Sequence, residues 1–480
     1  MTTAPTNAAS AEVTAIDTSA RWPLLLLFWS AIKWLVLSGG LALVTSIQLI
    51  KPSFFADCAW LTYGRAQALQ ETAFIYGWAA NAGLAVALWV LGRLGGAPLR
   101  ALNWVVVGTI FWNIAVALGC LGIATGEATS IAFLQLPRAV QPLMLVAYAA
   151  IGVAGILAWT GRRVACTYAA QWYALAALLL FPWIFSAAQV MLLWMPSRGV
   201  LQAVAAGWFA QGAWTLWLAP LGLAGAYYVV PKITGRALPS YDFAPHAFWA
   251  LLVLGAWTAG RHLVGGPVPA WIASVAIVSC ALLLFHYFVV GLNLRGALGG
   301  GGTALKFISF GLAAYVAGGF LDAITAFRDV ARITQFTLFD AAQQQLALSG
   351  GLSMIFVGVI YYALPRLTGR AWFSAAFVRG HLALALLGVL LLVGSLAMAG
   401  WIQGHDLNNA KVSFADLAAH LRPWLLAAAA AQALLLLGHL IFAVNFLFTA
   451  AQACPFGSPF AKPADPSLFR QPSTLEAPAS

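Results

Sequence analysis

Glutamine side chains inside long apolar segments are the residues of this sequence whose chemistry most needs an explanation. Gln211 and Gln345 each lie sixteen residues before a Tyr-Tyr pair, and Gln70 lies near the start of another apolar segment. An amide donates and accepts hydrogen bonds, and leaving it unpaired in hydrocarbon costs several kcal/mol. We therefore expect these three side chains to face the interior of a helix bundle.

An internal repeat places two of these glutamines at matched positions. Residues 227–237 recur as residues 361–371, with seven of the eleven positions identical, and the same offset of 134 residues maps Gln211 onto Gln345. A fainter third copy lies at residues 89–93. A recurring helix exit would explain the residue types but not the identities, so we interpret the pattern as a duplication of helix groups around a shared site.

Ionisable residues within apolar segments are further candidates for function. Glu71 and Asp322 are the candidates for a proton or cation path, although Glu71 is also typical of an interfacial carboxylate. Asp340 lies one turn before Gln343 and is a candidate partner of Arg261. The sequence contains no GxGxxG, P-loop or HExxH motif, and its five cysteines form no CxxC pair, so soluble enzyme classes and zinc sites are not indicated.

The elements that must position these residues are membrane-spanning helices. Of the 480 residues, 62% are hydrophobic and 8% are charged, whereas a soluble domain carries roughly 25% charged residues. A spanning helix needs about 20 apolar residues. Twelve candidate segments lie at residues 23–47, 72–94, 101–124, 138–160, 167–195, 204–230, 245–264, 270–293, 304–327, 340–364, 380–402 and 423–450. The predicted fold class is an all-α integral membrane protein of about twelve transmembrane helices, with the lipid bilayer as its main solvent.

Basic residues fall singly or in pairs between these segments. The formal net charge is +11, but a scattered pattern is typical of membrane-protein loops and argues against a nucleic-acid partner. The side that holds both termini has fourteen Lys and Arg and the other side has nine. The positive-inside rule therefore places both termini in the cytoplasm. We predict one membrane domain at 22–450, a disordered tail at 1–21 and a Pro-rich tail at 451–480.

Several stretches resemble subunit I of cbb3-type cytochrome c oxidase, of the heme-copper oxidase superfamily, in order and spacing. The matching stretches are 61–65 and 73–78 in the second helix, 208–209 and 227–236 in the sixth, 248–251 and 269–271 in the seventh, 336–337 and 361–367 around the tenth, and 438–445 in the twelfth. The resemblance extends over residues 22–449. It implies a subunit I-like bundle with pseudo-threefold repeats, in a multi-pass protein of the bacterial inner (cytoplasmic) membrane.

The resemblance also implies a role in the respiratory chain. Subunits of this kind reduce dioxygen to water and pump protons, using two hemes and one copper ion, alongside other subunits that include c-type cytochromes. The heme-ligand positions match Gln70, Gln343 and Gln345; the copper-ligand positions match Gln211, Arg261 and His262; the redox-tyrosine position matches Gly255.

Only His262 keeps an imidazole among the six matched ligand positions. Heme iron and copper favour imidazole, thiolate or thioether donors, and a guanidinium is a permanent cation. We therefore expect no heme or copper from the matched ligands, and no catalytic or metal residue is assigned. A network of glutamines, with Trp214, Trp217 and Phe339, is expected to fill the former heme space. This favours a pseudo-oxidase that serves as a structural or assembly subunit.

Two other functions stay open at this point. One is an active terminal oxidase-type hemoprotein whose ligands are relocated, with His262, His286 and His439 as candidate imidazoles, or supplied by another chain. The other is a proton- or ion-conducting membrane protein that uses Asp322 or Glu71. Heme analysis separates the first alternative from a pseudo-oxidase, and proton flux in liposomes separates the second.

Overall fold

The computed structural model describes residues 7–452, with side chains from residue 12, and this range is helical without a β-strand. Twelve of its helices are long and apolar enough to cross a membrane. They are α1 (Glu12–Ile50), α2 (Tyr63–Gly95), α3 (Leu102–Thr125), α4 (Gln141–Thr160), α5 (Ala169–Trp194), α6 (Val200–Thr234), α7 (Tyr241–Leu263), α8 (Ala270–Gly299), α9 (Thr303–Thr325), α10 (Leu338–Thr368), α11 (Ala375–Leu407) and α12 (Phe414–Ala451). The predicted all-α class and the twelve predicted spans are confirmed.

Helix α1 begins well before the apolar segment predicted at 23–47. The helix itself extends over Asn7–Ile50, so the structure differs from the prediction of a disordered tail at 1–21. Asp17 gives the reason: its buried carboxylate lies 3.5 Å from Arg93 Nε and accepts a hydrogen bond of 3.1 Å from the Trp89 indole. Charge-assisted contacts of this kind tie the first turns of α1 to α2. The tail predicted at 451–480 lies outside the described residues after Gln452.

Helices α2, α6 and α10 form the centre of the bundle. In the most apolar 18-residue window of each helix, 100% of residues are buried in α2, 94% in α6 and 78% in α10, against 56% or less in every other span. A helix that is buried on all sides belongs to the core of a bundle. The three helices that carry Gln70, Gln211 and Gln345 are therefore the interior ones.

Each central helix contains a π-helical stretch at a matched position. The stretches are Ala73–Ala79 in α2, Ala213–Leu218 in α6 and Leu346–Ser353 in α10. Each begins within three residues of the glutamine predicted to face inward. A π-turn widens the helix and is frequent at functional sites. Its presence at three matched positions supports a third copy of the repeat in α2.

The three central helices also end alike. Each ends at a glycine in the left-handed conformation, where a side chain would be strained: Gly96 (φ 62°), Gly235 (φ 64°) and Gly369 (φ 67°). About two turns earlier the aromatic rings of the three copies meet, with Trp89 centred 5.2 Å from Tyr228 and 6.0 Å from Tyr362. The fainter copy at residues 89–93 is thus an equivalent helix exit.

Candidate functional site

A largely buried polar cluster joins helices α7, α9 and α10. We define it as Arg261, Asp322, Thr325 and Gln343. Arg261 Nη2 lies 3.0 Å from a carboxylate oxygen of Asp322, and Arg261 Nη1 donates to Thr325 Oγ1 at 3.2 Å. Gln343 Nε2 donates to the same Asp322 oxygen at 3.2 Å and to Thr325 Oγ1 at 2.9 Å. The cluster therefore holds a guanidinium, a carboxylate and an amide in direct contact.

Local structure explains how α7 delivers Arg261 to this cluster. Residues Gly255–Leu263 form a 3₁₀-helix, in which the Thr258 hydroxyl donates to the Gly255 carbonyl at 2.7 Å. A 3₁₀-helix has three residues per turn instead of 3.6, so side chains rotate relative to the preceding α-helix. Arg261 consequently faces inward, while the next residue, His262, is exposed.

His262 and Gly255, the two other matched positions on α7, lie outside the polar cluster. The side chain of His262 is exposed, and its carbonyl accepts a hydrogen bond of 2.5 Å from Gln335 Nε2. A Cβ atom built on Gly255 would lie 2.6 Å from Thr215 Cβ, which is far inside van der Waals contact. Helices α6 and α7 therefore pack where a side chain at position 255 would have to stand.

Gln211 lies beside this contact on α6. Its side chain is half-buried, and its carbonyl accepts a hydrogen bond of 2.8 Å from the Thr215 hydroxyl. That bond turns Thr215 toward Gly255 and helps to hold α6 against α7. The side chain of Gln211 is not part of the polar cluster.

Gln70 and Gln345 lie on opposite walls of one cavity of about 160 Å³ between α2 and α10. Gln70 Nε2 donates to Ser38 Oγ at 3.3 Å, and Gln345 Oε1 accepts from Ser349 Oγ at 2.7 Å. Within the described residues these amides bond to serines, not to each other. The expected glutamine–glutamine network is replaced by short bonds within neighbouring turns or to α1.

Glu71 borders the same cavity and holds two amides. Gln135 Nε2, from the loop after α3, donates to one carboxylate oxygen at 2.5 Å, and Gln344 Nε2 donates to the other at 3.3 Å. Gln135 lies in a loop and Gln344 between two predicted sites, so no spacing in the sequence marked either as a partner. The carboxylate is therefore built into a polar contact between α2, α10 and a loop.

Asp340 does not pair with Arg261 as expected. Its carboxylate accepts a hydrogen bond of 2.8 Å from the Phe336 backbone N–H at the start of α10. A side-chain acceptor at a helix start satisfies an N–H group that has no partner inside the helix. Asp322 on α9 is the carboxylate that pairs with Arg261, instead of the expected Asp340.

The register of the repeat changes which glutamines are equivalent. Counted back from the glycine exits, Gln70 and Gln343 both stand 26 residues before Gly96 and Gly369, whereas Gln345 stands 24 before Gly369. Gln70 thus corresponds to Gln343 and not to Gln345 in the repeat. From the sequence alone, Gln70 could be matched to the other glutamines only by its approximate depth in the membrane, because the glycine that ends the first copy was not identified.

The aromatic residues expected near the site take two roles. Trp217 is fully buried and stacks on Phe181 with ring centroids 3.9 Å apart. Trp214 packs against Tyr315, with centroids 6.1 Å apart, and Phe339 is half-buried at the start of α10. Trp217 belongs to a group of packed aromatic rings in the core, while Trp214 lies on the side of α6 that faces α9.

Among the remaining histidines of the spans, His286 and His381 have hydrogen-bond partners, whereas His439 Nδ1 is buried without one in the described part of the chain. His286 contacts the Ala247 carbonyl at 2.8 Å and the Tyr315 hydroxyl at 2.9 Å. His381 contacts the Tyr361 hydroxyl at 2.8 Å, and its ring lies next to that of His439, with centroids 6.2 Å apart. In residues 12–452, no group of three or more His, Cys, Asp and Glu side chains is arranged to hold a metal ion.

Comparisons with known proteins agree on one family. The model of the family described as cytochrome c and quinol oxidase polypeptide I matches residues 23–434. The cbb3-type cytochrome c oxidase subunit CcoN1 of Stutzerimonas stutzeri is 23% identical over 88% of this chain and 94% of its own length. Cytochrome c oxidase subunit 1 of Rhodobacter capsulatus is 25% identical over 88% and 84%. A solved structure of a heme-copper terminal oxidase dimer, 14% identical, shares the fold with a TM-score of 0.66 over 99% of this chain and 88% of that one.

Proposed function

Since the chain belongs to the cytochrome c and quinol oxidase polypeptide I family, we propose that it is a pseudo-oxidase: a family member that keeps the twelve-helix bundle but reduces no dioxygen. It serves as a structural or assembly subunit of a respiratory complex in the bacterial inner membrane. Both termini lie in the cytoplasm, residues 22–450 form the membrane domain, and the partners include c-type cytochromes.

The chemistry of the donor set carries this proposal. The six positions matched to metal ligands hold four amides, one guanidinium and one imidazole, and the imidazole of His262 is exposed instead of facing the bundle. Amides are weak donors to iron and copper, which favour imidazole and sulfur ligands. These residues do not fit two hemes and a copper ion.

The polar cluster supports the same conclusion at the matched copper position. Arg261 is a permanent cation and is held 3.0 Å from Asp322. A second positive charge beside it would be repelled, and the carboxylate is already neutralised by the guanidinium. The ion pair therefore serves as a structural contact between α7 and α9.

The space between α2 and α10 is also small. The cavity bordered by Gln70 and Gln345 measures about 160 Å³, close to the roughly 150 Å³ cavity that holds a single benzene molecule. Ligand sites for larger molecules measure about 300–1,000 Å³. A macrocycle between these helices would need the side chains of both walls to move.

Proton conduction is less well supported than a scaffold role. Asp322 is ion-paired with Arg261, and Glu71 accepts hydrogen bonds from two amides. A carboxylate that relays protons must exchange them with mobile partners, whereas each of these carboxylates is held by donors from neighbouring elements. The scaffold therefore uses the polar residues as contacts between helices.

Heme and metal analysis of the purified chain tests the proposal. We expect no stoichiometric heme in a pyridine hemochrome assay and no stoichiometric copper by mass spectrometry, with a cbb3-type oxidase purified in parallel as the control. Stoichiometric heme would overturn the proposal. Substitutions His286→Leu and His439→Leu would then show whether a relocated imidazole holds it.

A further inference from the structure

Lys33 is a charged side chain on the outer face of α1, deep within the membrane. Trp22, exposed on the same helix, is typical of a membrane interface. Eleven residues separate it from Lys33, or about 16 Å along the helix at 1.5 Å per residue. The hydrocarbon core is about 30 Å thick, so Lys33 emerges near its centre. Asn113, in the middle of α3 (Leu102–Thr125), lines one surface groove together with Lys33. Its position in the middle of a span also places Lys33 near the centre of the membrane.

No counter-charge for Lys33 is present in the part of the chain that the structure describes. The ion pairs there involve other residues, and Lys33 has only the ring of Trp29, with Nζ 5.9 Å from its centroid. A lysine at the centre of a spanning helix costs about 2.5–3.5 kcal/mol on insertion scales. Long side chains near helix ends relieve that cost by reaching the interface, but Lys33 is far from both ends of α1.

The side chain opens into a groove of about 490 Å³ between α1 and α3, which we name the Lys33 groove. Its polar wall is fixed: Trp34 Nε1 donates to Asn113 Oδ1 at 2.7 Å, and Asn113 Nδ2 donates to Asn81 Oδ1 at 3.1 Å. Its rim is apolar and exposed, formed by Leu37, Ile110 and Ile114. The groove thus offers one cation, one amide that is already hydrogen-bonded, and an apolar border.

We propose that the Lys33 groove receives a transmembrane helix of another subunit, which presents an Asp or Glu carboxylate to Lys33. Charge complementarity identifies the occupant, since an exposed ammonium at the depth of the hydrocarbon core favours an anion at the same depth. A spanning helix carries a side chain to mid-membrane with its own backbone satisfied, and the other spanning structure, a closed β-barrel, is too wide for a groove between two helices. A phospholipid phosphate lies at the edge of the hydrocarbon, about 15 Å from its centre. This inference deepens the proposed scaffold function by stating the chemistry of a partner.

A second copy of this chain is a poorer occupant. Three acidic side chains lie well inside its described spans: Asp17 is buried, and Glu71 and Asp322 are half-buried. All three are ion-paired or hydrogen-bonded within the chain. Asp465 and Glu476 lie outside the described residues, in a stretch with six prolines that has no run of 20 apolar residues. The carboxylate must therefore come from a different polypeptide.

Zero-length cross-linking in native membranes tests the proposal. A carbodiimide joins an ammonium to a carboxylate in direct contact, and mass spectrometry identifies the two peptides. We expect Lys33 joined to an Asp or Glu inside an apolar, membrane-spanning segment of another polypeptide. A link to this chain itself, or no link at Lys33 in the assembled complex, overturns the proposal.

Two matched variants give a second readout. Lys33→Met removes the charge and keeps the length of the side chain; Lys51→Met does the same at the exposed outer end of α1 and is the control. We expect Lys33→Met to lower recovery of the linked subunit at least tenfold, without lowering the thermal midpoint of the isolated chain, and Lys51→Met to change neither. Equal recovery with Lys33→Met overturns the proposal. Heme analysis is unaffected by these variants, so failure of the docking proposal and failure of the pseudo-oxidase proposal are distinguishable.

Discussion

Replacing Arg261 with methionine is expected to destabilise the bundle strongly. The substitution removes the 3.0 Å ion pair with Asp322 and two hydrogen bonds, to the Asp322 carbonyl and to Thr325 Oγ1. Removing one partner of a buried pair costs about 3–5 kcal/mol, because the remaining charge stays buried. Gln343 still donates to the Asp322 carboxylate, so we expect a loss near the lower limit, about 3 kcal/mol.

The double variant Arg261→Met, Asp322→Leu separates the ion pair from its surroundings. An apolar pair of similar volume often replaces a buried ion pair without loss, and Gln343 keeps its bond to Thr325. We therefore expect the double variant to lose about 1 kcal/mol or less, less than either single variant. The free energy of unfolding in mixed lipid–detergent micelles, followed by near-ultraviolet circular dichroism, measures all four proteins of the cycle.

The reasoning would be refuted by additive losses. If Arg261→Met and Asp322→Leu each cost under 1 kcal/mol and their effects simply add, then the two side chains do not interact in the membrane. The ion pair would then give no account of why a guanidinium stands at the matched copper position.

Two further substitutions test the packing of the bundle. Gly255→Ala places a Cβ 2.6 Å from Thr215 Cβ, and overpacking of this kind costs about 1–3 kcal/mol. Gly152→Ala is the control, because no atom lies within 4 Å of its Cβ. We expect it to be neutral or stabilising in the same unfolding assay. Asp17→Asn removes the charge that lies 3.5 Å from Arg93 and should cost about 3 kcal/mol of stability. We expect faster limited proteolysis before residue 22. Cleavage at the wild-type rate would show that other contacts hold the first turns of α1.

The repeat in the sequence anticipated part of the site correctly. The shared pattern at residues 227–237 and 361–371 predicted equivalent helices, and α6 and α10 are indeed matched, each with a π-helical stretch after its glutamine. The first copy was too diverged for its register to be read. Only its glycine exit at Gly96, visible in the backbone, shows that Gln70 corresponds to Gln343.

Partners of polar residues were the least predictable feature. Arg261 was assigned to Asp340, which is close to the predicted site in sequence, yet it pairs with Asp322 on α9. Asp17 was assigned to a disordered tail because its local sequence is polar and small. In the bundle it meets Arg93 of α2, a residue 76 positions away, and no local pattern carries that information.

The sequence by itself determined that the chain lies in a lipid bilayer, how many times it crosses it, and which family it resembles. These depend on composition and on the length of apolar runs, because hydrocarbon penalises every unsatisfied backbone group in the same way wherever it occurs. The tertiary structure alone decided that His262 turns outward while Arg261 turns inward, and that Lys33 faces a groove without a counter-charge. Those outcomes depend on helix rotation and on contacts between distant spans, since the direction of a side chain is set by the packing of the helix that carries it.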